Sequence, residues 1–79
     1  IHDYKSTLQE YIQAGDKRSI SYHITKETGP SHDKEFEAAV KLDNVITLGV
    51  GWGKTKKEAE QNAAKDALKK GNYDHQTDV

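Results

Sequence analysis

The chain has 79 residues, a formal net charge of −1 and no cysteine, and 32% of its residues are Asp, Glu, Lys or Arg. This length allows one small domain, and the lack of cysteine excludes a disulfide-stapled scaffold. No apolar run approaches the roughly 20 residues of a membrane-spanning helix, and no signal-peptide pattern is present. We expect a cytoplasmic domain with no membrane partner.

The first predicted element is a helix over residues 3–13, because its apolar side chains recur with the helical period of about 3.6 residues. Its apolar face is formed by Tyr4, Leu8, Tyr11 and Ile12. The opposite face is a polar stripe of four residues, Ser6, Gln9, Glu10 and Gln13. Residues 14–18, Ala-Gly-Asp-Lys-Arg, end the helix.

Three segments then alternate between apolar and other side chains, which is typical of half-buried strands. They cover residues 19–26, 35–42 and 45–52. A loop at residues 28–33, Thr-Gly-Pro-Ser-His-Asp, separates the first two, and a tight turn at Asp43-Asn44 separates the last two. In the third strand the alternating apolar residues are Ile46, Leu48, Val50 and Trp52. Trp52 stands between two glycines, and we expect its position to be exposed.

A second helix is predicted from Lys56 to Lys70, with a buried side made of Ala59, Ala63, Ala64, Ala67 and Leu68. The small alanines let this helix lie close against its neighbour. The predicted core includes Tyr4, Leu8, Phe36 and Leu68. The fold class is α+β: an α-β-β-β-α domain over residues 1–72, with two helices packed on one face of a three-stranded antiparallel sheet. Residues 73–79 are predicted to form a flexible tail.

The start of the second helix is a candidate anion site. Thr55 and Glu58 have the spacing of a capping box, and Gly71 is a helix stop at the other end. The free N–H groups and the positive end of the helix dipole point the same way as three lysines, Lys54, Lys56 and Lys57. Exposed lysines at a helix N-terminus cost up to about 1 kcal/mol, which favours a binding role over a structural one. The arrangement suits phosphate.

Three motifs together resemble a known family. They are Asp3-Tyr-Lys-Ser-Thr-Leu-Gln-Glu-Tyr11, Gly29-Pro-Ser-His32 and Thr55-Lys-Lys-Glu-Ala-Glu-Gln61. In this order and spacing, and with the predicted order of elements, the chain resembles the double-stranded-RNA-binding domains. It is most similar to the C-terminal domain of bacterial ribonuclease III, and the resemblance extends over residues 3–70.

The resemblance implies three contact regions on double-stranded RNA. The first helix would lie in a minor groove and face ribose 2′-hydroxyls and base edges with Ser6, Gln9, Glu10 and Gln13. His32, in the loop, would reach the next minor groove. Phosphates across the intervening major groove would be held by Lys54, Lys56, Lys57 and Gln61. Recognition would then depend on the shape and ribose groups of the duplex, with weak sequence preference.

The resemblance also implies that this chain binds RNA without cutting it. The parent would be a magnesium-dependent ribonuclease III that cleaves double-stranded RNA in ribosomal and messenger RNA processing and forms a homodimer through its catalytic domain. The chain itself is expected to be monomeric, with no cofactor, no metal and no catalytic residue. Two alternatives remain: a free-standing or differently attached module that binds double-stranded RNA, and a protein-interaction domain of the same fold.

Two kinds of enzyme site are disfavoured. The phosphate-binding loop of a nucleotide hydrolase needs a glycine five residues before Gly53-Lys-Thr55, where this chain has Leu48. The chain also has no room for the parallel sheet to which such a loop belongs. The histidines, which lack the spacing of metal ligands, are His2, His23, His32 and His75.

Overall fold

The structure, a computed structural model, describes residues 3–15 and 18–71. Its elements are helix α1 (Tyr4–Gly15), strands β1 (Ile20–Thr28), β2 (Glu35–Leu42) and β3 (Ile46–Gly53), and helix α2 (Lys56–Lys70). The predicted order is confirmed, and every element begins and ends within two residues of its predicted bounds. The predicted tail at residues 73–79 lies outside the described residues. No helix within the described ranges is long and apolar enough to cross a membrane.

The three strands form one antiparallel sheet in the order β1-β2-β3. A turn at Asp43 and Asn44, whose φ angles are 53° and 62°, joins β2 to β3. These two positive angles, and a 3.0 Å hydrogen bond from the Val45 N–H to the Leu42 carbonyl, define a type I′ turn. Asp and Asn tolerate this left-handed backbone because their short polar side chains can hydrogen-bond locally. The predicted tight turn is therefore confirmed.

A β-bulge interrupts the alternation along β3. Val40 pairs with Gly49 and Lys41 pairs with Thr47, so that Leu48 is an extra residue opposite β2. As a result Leu48 and Gly49 are both buried, although they are neighbours in sequence. Leu48 is 1% exposed, whereas Trp52 is 41% exposed. The apolar residues of this strand thus do not share one buried face, and the exposed position expected for Trp52 is confirmed.

Helix α2 lies close against β3 because glycine meets alanine between them. On β3 the residues facing the helix are Gly49, Gly51 and Gly53, and on α2 the residues facing the strand are Ala59, Ala63 and Ala67. A Cβ placed on Gly51 would lie 2.2 Å from the Ala63 amide nitrogen, and one on Gly49 would lie 2.5 Å from the Ala67 amide nitrogen. The two backbones are therefore in contact, as the alanine-rich side of the helix predicted.

Two polar side chains of α2 also hydrogen-bond the outer edge of β3. Asp66 Oδ2 accepts a 2.9 Å bond from the Val50 N–H, and Asn62 Nδ2 donates a 2.6 Å bond to the Trp52 carbonyl. Since β3 ends the sheet, these backbone groups have no strand partner on that side among the described residues. Helix α2 therefore covers both a face and an edge of β3.

The hydrophobic core lies between the inner face of the sheet and the two helices. From the sheet it includes Ala38, Val40, Leu42 and Leu48. Of the side chains predicted to lie in the core, Leu8 is fully buried, and Tyr4, Phe36 and Leu68 pack against it partly buried. The two-helix, one-sheet packing predicted from the sequence is confirmed.

Helix α1 contributes only a narrow apolar stripe to this core. Tyr4, Leu8 and Ile12 are spaced four residues apart and lie along one line of the helix. Tyr11 lies beside that line and is 59% exposed. Only part of the predicted apolar face is therefore buried, because α1 packs mainly against α2, which covers one strip of its surface.

The contact between α2 and β3 predicts a large penalty for Gly51→Ala. The added methyl group would meet the backbone of α2, so we expect a loss of about 3 kcal/mol, the upper end of the usual cost of overpacking. Gly71→Ala is the matched control, because Gly71 has a φ of 65° but a Cβ placed on it would meet nothing within 4 Å. There we expect only backbone strain of about 1 kcal/mol. Equal losses in denaturant unfolding would contradict the backbone contact.

Candidate nucleic-acid interface

The first turn of α2 is capped as the sequence predicted. Thr55 has an extended backbone (φ −127°, ψ 160°), and its Oγ1 accepts a 3.0 Å hydrogen bond from the Glu58 N–H. The Glu58 carboxylate accepts the N–H of Lys54 instead of that of Thr55, so the reciprocal bond of the capping box is displaced by one residue. By helix geometry, the N–H groups of Lys56 and Lys57 have no partner within the helix.

Lys54 is exposed and held between two carboxylates. Its Nζ lies 2.9 Å from Asp33 Oδ1 and 3.2 Å from Glu35 Oε2. The hydrogen bonds to Asp33 and then Glu35 raise the pKa of the Lys54 ammonium above its ordinary value. The side chains of all three residues are more than half exposed, so the pairs are open to competition from other anions.

The polar stripe of α1 lies at the surface, as predicted. Three of its four residues border one shallow hollow: Ser6, Gln9 and Glu10. Lys5 closes one side of this hollow, and its Nζ lies 4.6 Å from the centroid of the Tyr22 ring. Gln13, the fourth residue of the stripe, belongs to the next helical turn along α1.

A cleft joins this stripe to Lys57 at the start of α2. Ser6 from α1 lines it together with Thr55 and Lys57 from the start of α2. Because Ser6 borders both the cleft and the hollow, the polar stripe continues directly to the N-terminal end of α2. Lys56, which is exposed, lies with its Nζ 5.8 Å from the centroid of the Phe36 ring.

The loop that carries His32 is attached to the same end of α2. Gly29 opens the loop with a φ of 92°, and the Asp33 N–H donates a 2.9 Å hydrogen bond to the Pro30 carbonyl. Asp33 is also the nearer of the two carboxylates that pair with Lys54, and Lys54 lies two residues before the start of α2. His32 itself is exposed. The loop is thus joined to Lys54 just before α2, and the cleft joins the polar stripe to Lys57 at the start of α2.

Gln61, predicted to contact phosphate, has its hydrogen-bond partners in Asp3 and the first two residues of α1. Its Oε1 accepts the N–H groups of Tyr4 at 2.8 Å and Lys5 at 3.3 Å, and its Nε2 donates to Asp3 Oδ1 at 2.9 Å. A phosphate contact by Gln61 stays a prediction. These contacts join residues 56 to 58 apart in sequence, so local periodicity and spacing could not predict them.

Asp3 caps α1 from its own side. Its carboxylate accepts hydrogen bonds from the Ser6 N–H at 3.3 Å and from Ser6 Oγ at 2.6 Å. The hydrogen bonds from Ser6 and then Gln61 lower the pKa of the Asp3 carboxyl from 3.8 to about 2. The charged carboxylate therefore stabilises the fold above the unfolded pKa of 3.8, and this contribution is lost as the pH falls toward about 2.

Residues 4–70 match the family model described as double-stranded RNA binding motif. The chain belongs to this family. The match begins at the first residue of α1 and ends at the last residue of α2, so it includes every helix and strand of the structure. The chain is therefore a double-stranded RNA binding domain, and the resemblance stated from its motifs is confirmed.

Curated relatives of this double-stranded RNA binding domain carry the name Ribonuclease 3. They include proteins of Bacillus cereus (strain AH187), Bacillus anthracis (strain A0248) and Bacillus thuringiensis subsp. konkukian (strain 97-27). Each is 56% identical over 70 residues, which are 89% of this chain and 28% of the relative. The chain thus spans less than a third of the length of the curated relatives it matches.

In residues 3–15 and 18–71 of this domain, no three His, Cys, Asp or Glu side chains are placed together to hold a metal ion. His23 Nε2 lies 2.8 Å from Ser21 Oγ, within hydrogen-bond distance. Two of the other histidines, His2 and His75, lie outside the described residues.

The ion pairs of Lys54 predict that Asp33→Asn strengthens RNA binding. The substitution leaves Lys54 with one carboxylate partner, Glu35, and removes a negative charge beside the predicted phosphate contacts. We expect a gain of up to about fivefold at low salt, because an exposed ion pair is weak, and a smaller gain as salt is added. Titration of a labelled RNA duplex measures the effect.

Asp43→Asn is the matched control, because it makes the same change of charge in the turn at the other end of β2. We expect this control to leave the affinity unchanged, and Lys54→Gln to lower it. Weaker binding by Asp33→Asn would contradict the expectation and show that the carboxylate is needed to hold the loop.

Proposed function

We propose that this domain binds duplex RNA along the surface formed by the polar stripe of α1, the start of α2 and the loop at residues 29–33. The observation that carries the proposal is the cleft lined by Ser6 and Lys57. Along this cleft, side chains that suit ribose hydroxyls lie next to side chains that suit phosphates. Together they match a duplex in which hydroxyls and phosphates lie close to one another.

The shape of A-form RNA supports this proposal. Its minor groove is wide and shallow and displays 2′-hydroxyls, and domains of this family span about 16 base pairs across two minor grooves. Helix α1, with 12 residues, is about 18 Å long and can present its stripe along such a groove. Glu10 would be repelled by phosphates, so its place in the stripe indicates hydrogen bonds to ribose hydroxyls.

We further infer that the domain belongs to a ribonuclease 3 type of endonuclease and holds double-stranded RNA for cleavage by residues outside this chain. The 56% identity to proteins named Ribonuclease 3 supports this inference. From the resemblance alone, we propose that the whole protein is a cytoplasmic, magnesium-dependent homodimer that processes ribosomal and messenger RNA precursors.

The proposal predicts a clear order of affinities. We expect the chain to bind duplex RNA more tightly than an RNA–DNA hybrid, duplex DNA or single-stranded RNA, because only duplex RNA offers both A-form shape and 2′-hydroxyls on both strands. Fluorescence anisotropy with all four ligands of one length and sequence, across a salt series, measures this order. Equal affinity for duplex DNA would overturn the recognition of ribose, and cleavage of the RNA by the chain would overturn its assignment as a binding module.

The lysines at the start of α2 should set the salt dependence. Replacing Lys56 and Lys57 together by Ala should reduce the log–log salt slope by about 1.8, taking the duplex-DNA value of about 0.9 per lost phosphate contact. The matched control is the pair Lys65→Ala and Lys69→Ala, which removes the same charge from exposed positions further along α2. An unchanged slope in the first variant would mean that Lys56 and Lys57 do not touch phosphate.

A further inference from the structure

The start of α1 is held by two neighbouring residues of α2. Gln61 accepts the N–H groups of Tyr4 and Lys5 and donates to the carboxylate of Asp3. Next to it, Glu60 Oε1 lies 2.6 Å from Lys5 Nζ. Four polar contacts therefore join the first turn of α1 to one turn of α2, and Gln61 makes three of them.

These contacts supply a restraint that apolar packing does not. Leu8 and Ile12 determine which side of α1 faces the core. The N–H groups of Tyr4 and Lys5 have no partner within the helix, so bonding both to one amide oxygen fixes where the helix begins.

We propose that Gln61 is a positioning residue for RNA recognition, which sets the separation between the polar stripe of α1 and the lysines of α2. This inference rests on the proposed binding surface. Lys57 and Gln61 are one helical turn apart, and both line the cleft together with Ser6. Gln61 therefore holds the polar stripe of α1 and the lysines at the start of α2 at a fixed separation.

The orientation of the Gln61 amide favours this role over a direct phosphate contact. Its oxygen faces two backbone N–H groups of α1, and its nitrogen lies 2.9 Å from the carboxylate of Asp3. A phosphate bound to that nitrogen would lie close to the Asp3 carboxylate, and two anions at that separation repel each other.

Gln61→Met tests the proposal, because methionine fills similar space without donating or accepting these hydrogen bonds. We expect the affinity for duplex RNA to fall about tenfold, as expected for the loss of one or two net hydrogen bonds to ribose. The affinity for duplex DNA and the salt slope should stay unchanged, because the lysines still meet phosphates. In the same variant, hydrogen exchange of the Tyr4 and Lys5 amides should accelerate, and the Asp3 carboxyl should titrate above about 2.

A second variant separates positioning from phosphate contact. Asp3→Asn combined with Gln61→Glu exchanges the amide and the carboxylate, so that the carboxylate at position 61 still accepts both N–H groups and the amide at position 3 donates to it. The positioning role predicts that this pair recovers most of the RNA affinity lost in Gln61→Met. A phosphate contact predicts the opposite, because a new carboxylate facing phosphate would bind RNA more weakly still at low salt.

Leu68→Ala controls for a general loss of stability, since Leu68 is partly buried against the core and lies outside the proposed surface. It should lower the melting temperature and keep the preference for RNA over DNA, with all affinities measured well below melting. The inference is overturned if Gln61→Met binds RNA like the unsubstituted chain, loses RNA and DNA affinity equally, or binds more tightly than the double variant. If the unsubstituted chain shows no preference for duplex RNA, the proposed function fails first and the inference falls with it.

Discussion

Helix α2 and strand β3 touch through their backbones, and the proposed RNA surface depends on that contact. Glycine on the strand and alanine on the helix leave no side chain between them, so α2 has little freedom to slide or tilt. Only Lys54 and Thr55 separate the end of β3 from the start of α2. The position of Lys56 and Lys57 is therefore determined by how a strand and a helix of small residues pack together.

The other two contact regions attach through polar groups to this helix or to the residues just before it. The loop at residues 29–33 is joined to Lys54, two residues before the helix, by the ion pair with Asp33, and α1 is joined to the helix by the amide of Gln61. With a formal net charge of −1, the chain as a whole does not attract polyanions. Binding must then come from the arrangement of a few groups, which agrees with recognition of duplex shape.

Much of the fold follows from local sequence, because each element is amphipathic and ends at a turn or cap residue. Sequence periodicity could not predict that Tyr11 is exposed, because the part of the α1 surface that is buried depends on packing against α2. It could not predict the bulge at Leu48, which depends on pairing with β2. In the site, the cap at Thr55 is local and was predicted, whereas the contact between Gln61 and Tyr4 joins residues 57 apart in sequence and was not.

The hydrogen bonds from Asn62 and Asp66 to the edge of β3 have a consequence for encounters between two copies of the domain. An unprotected terminal strand would then template intermolecular sheet growth, a common route to aggregation. With the Val50 N–H and the Trp52 carbonyl already satisfied, a second copy finds no open ladder at these two positions of β3.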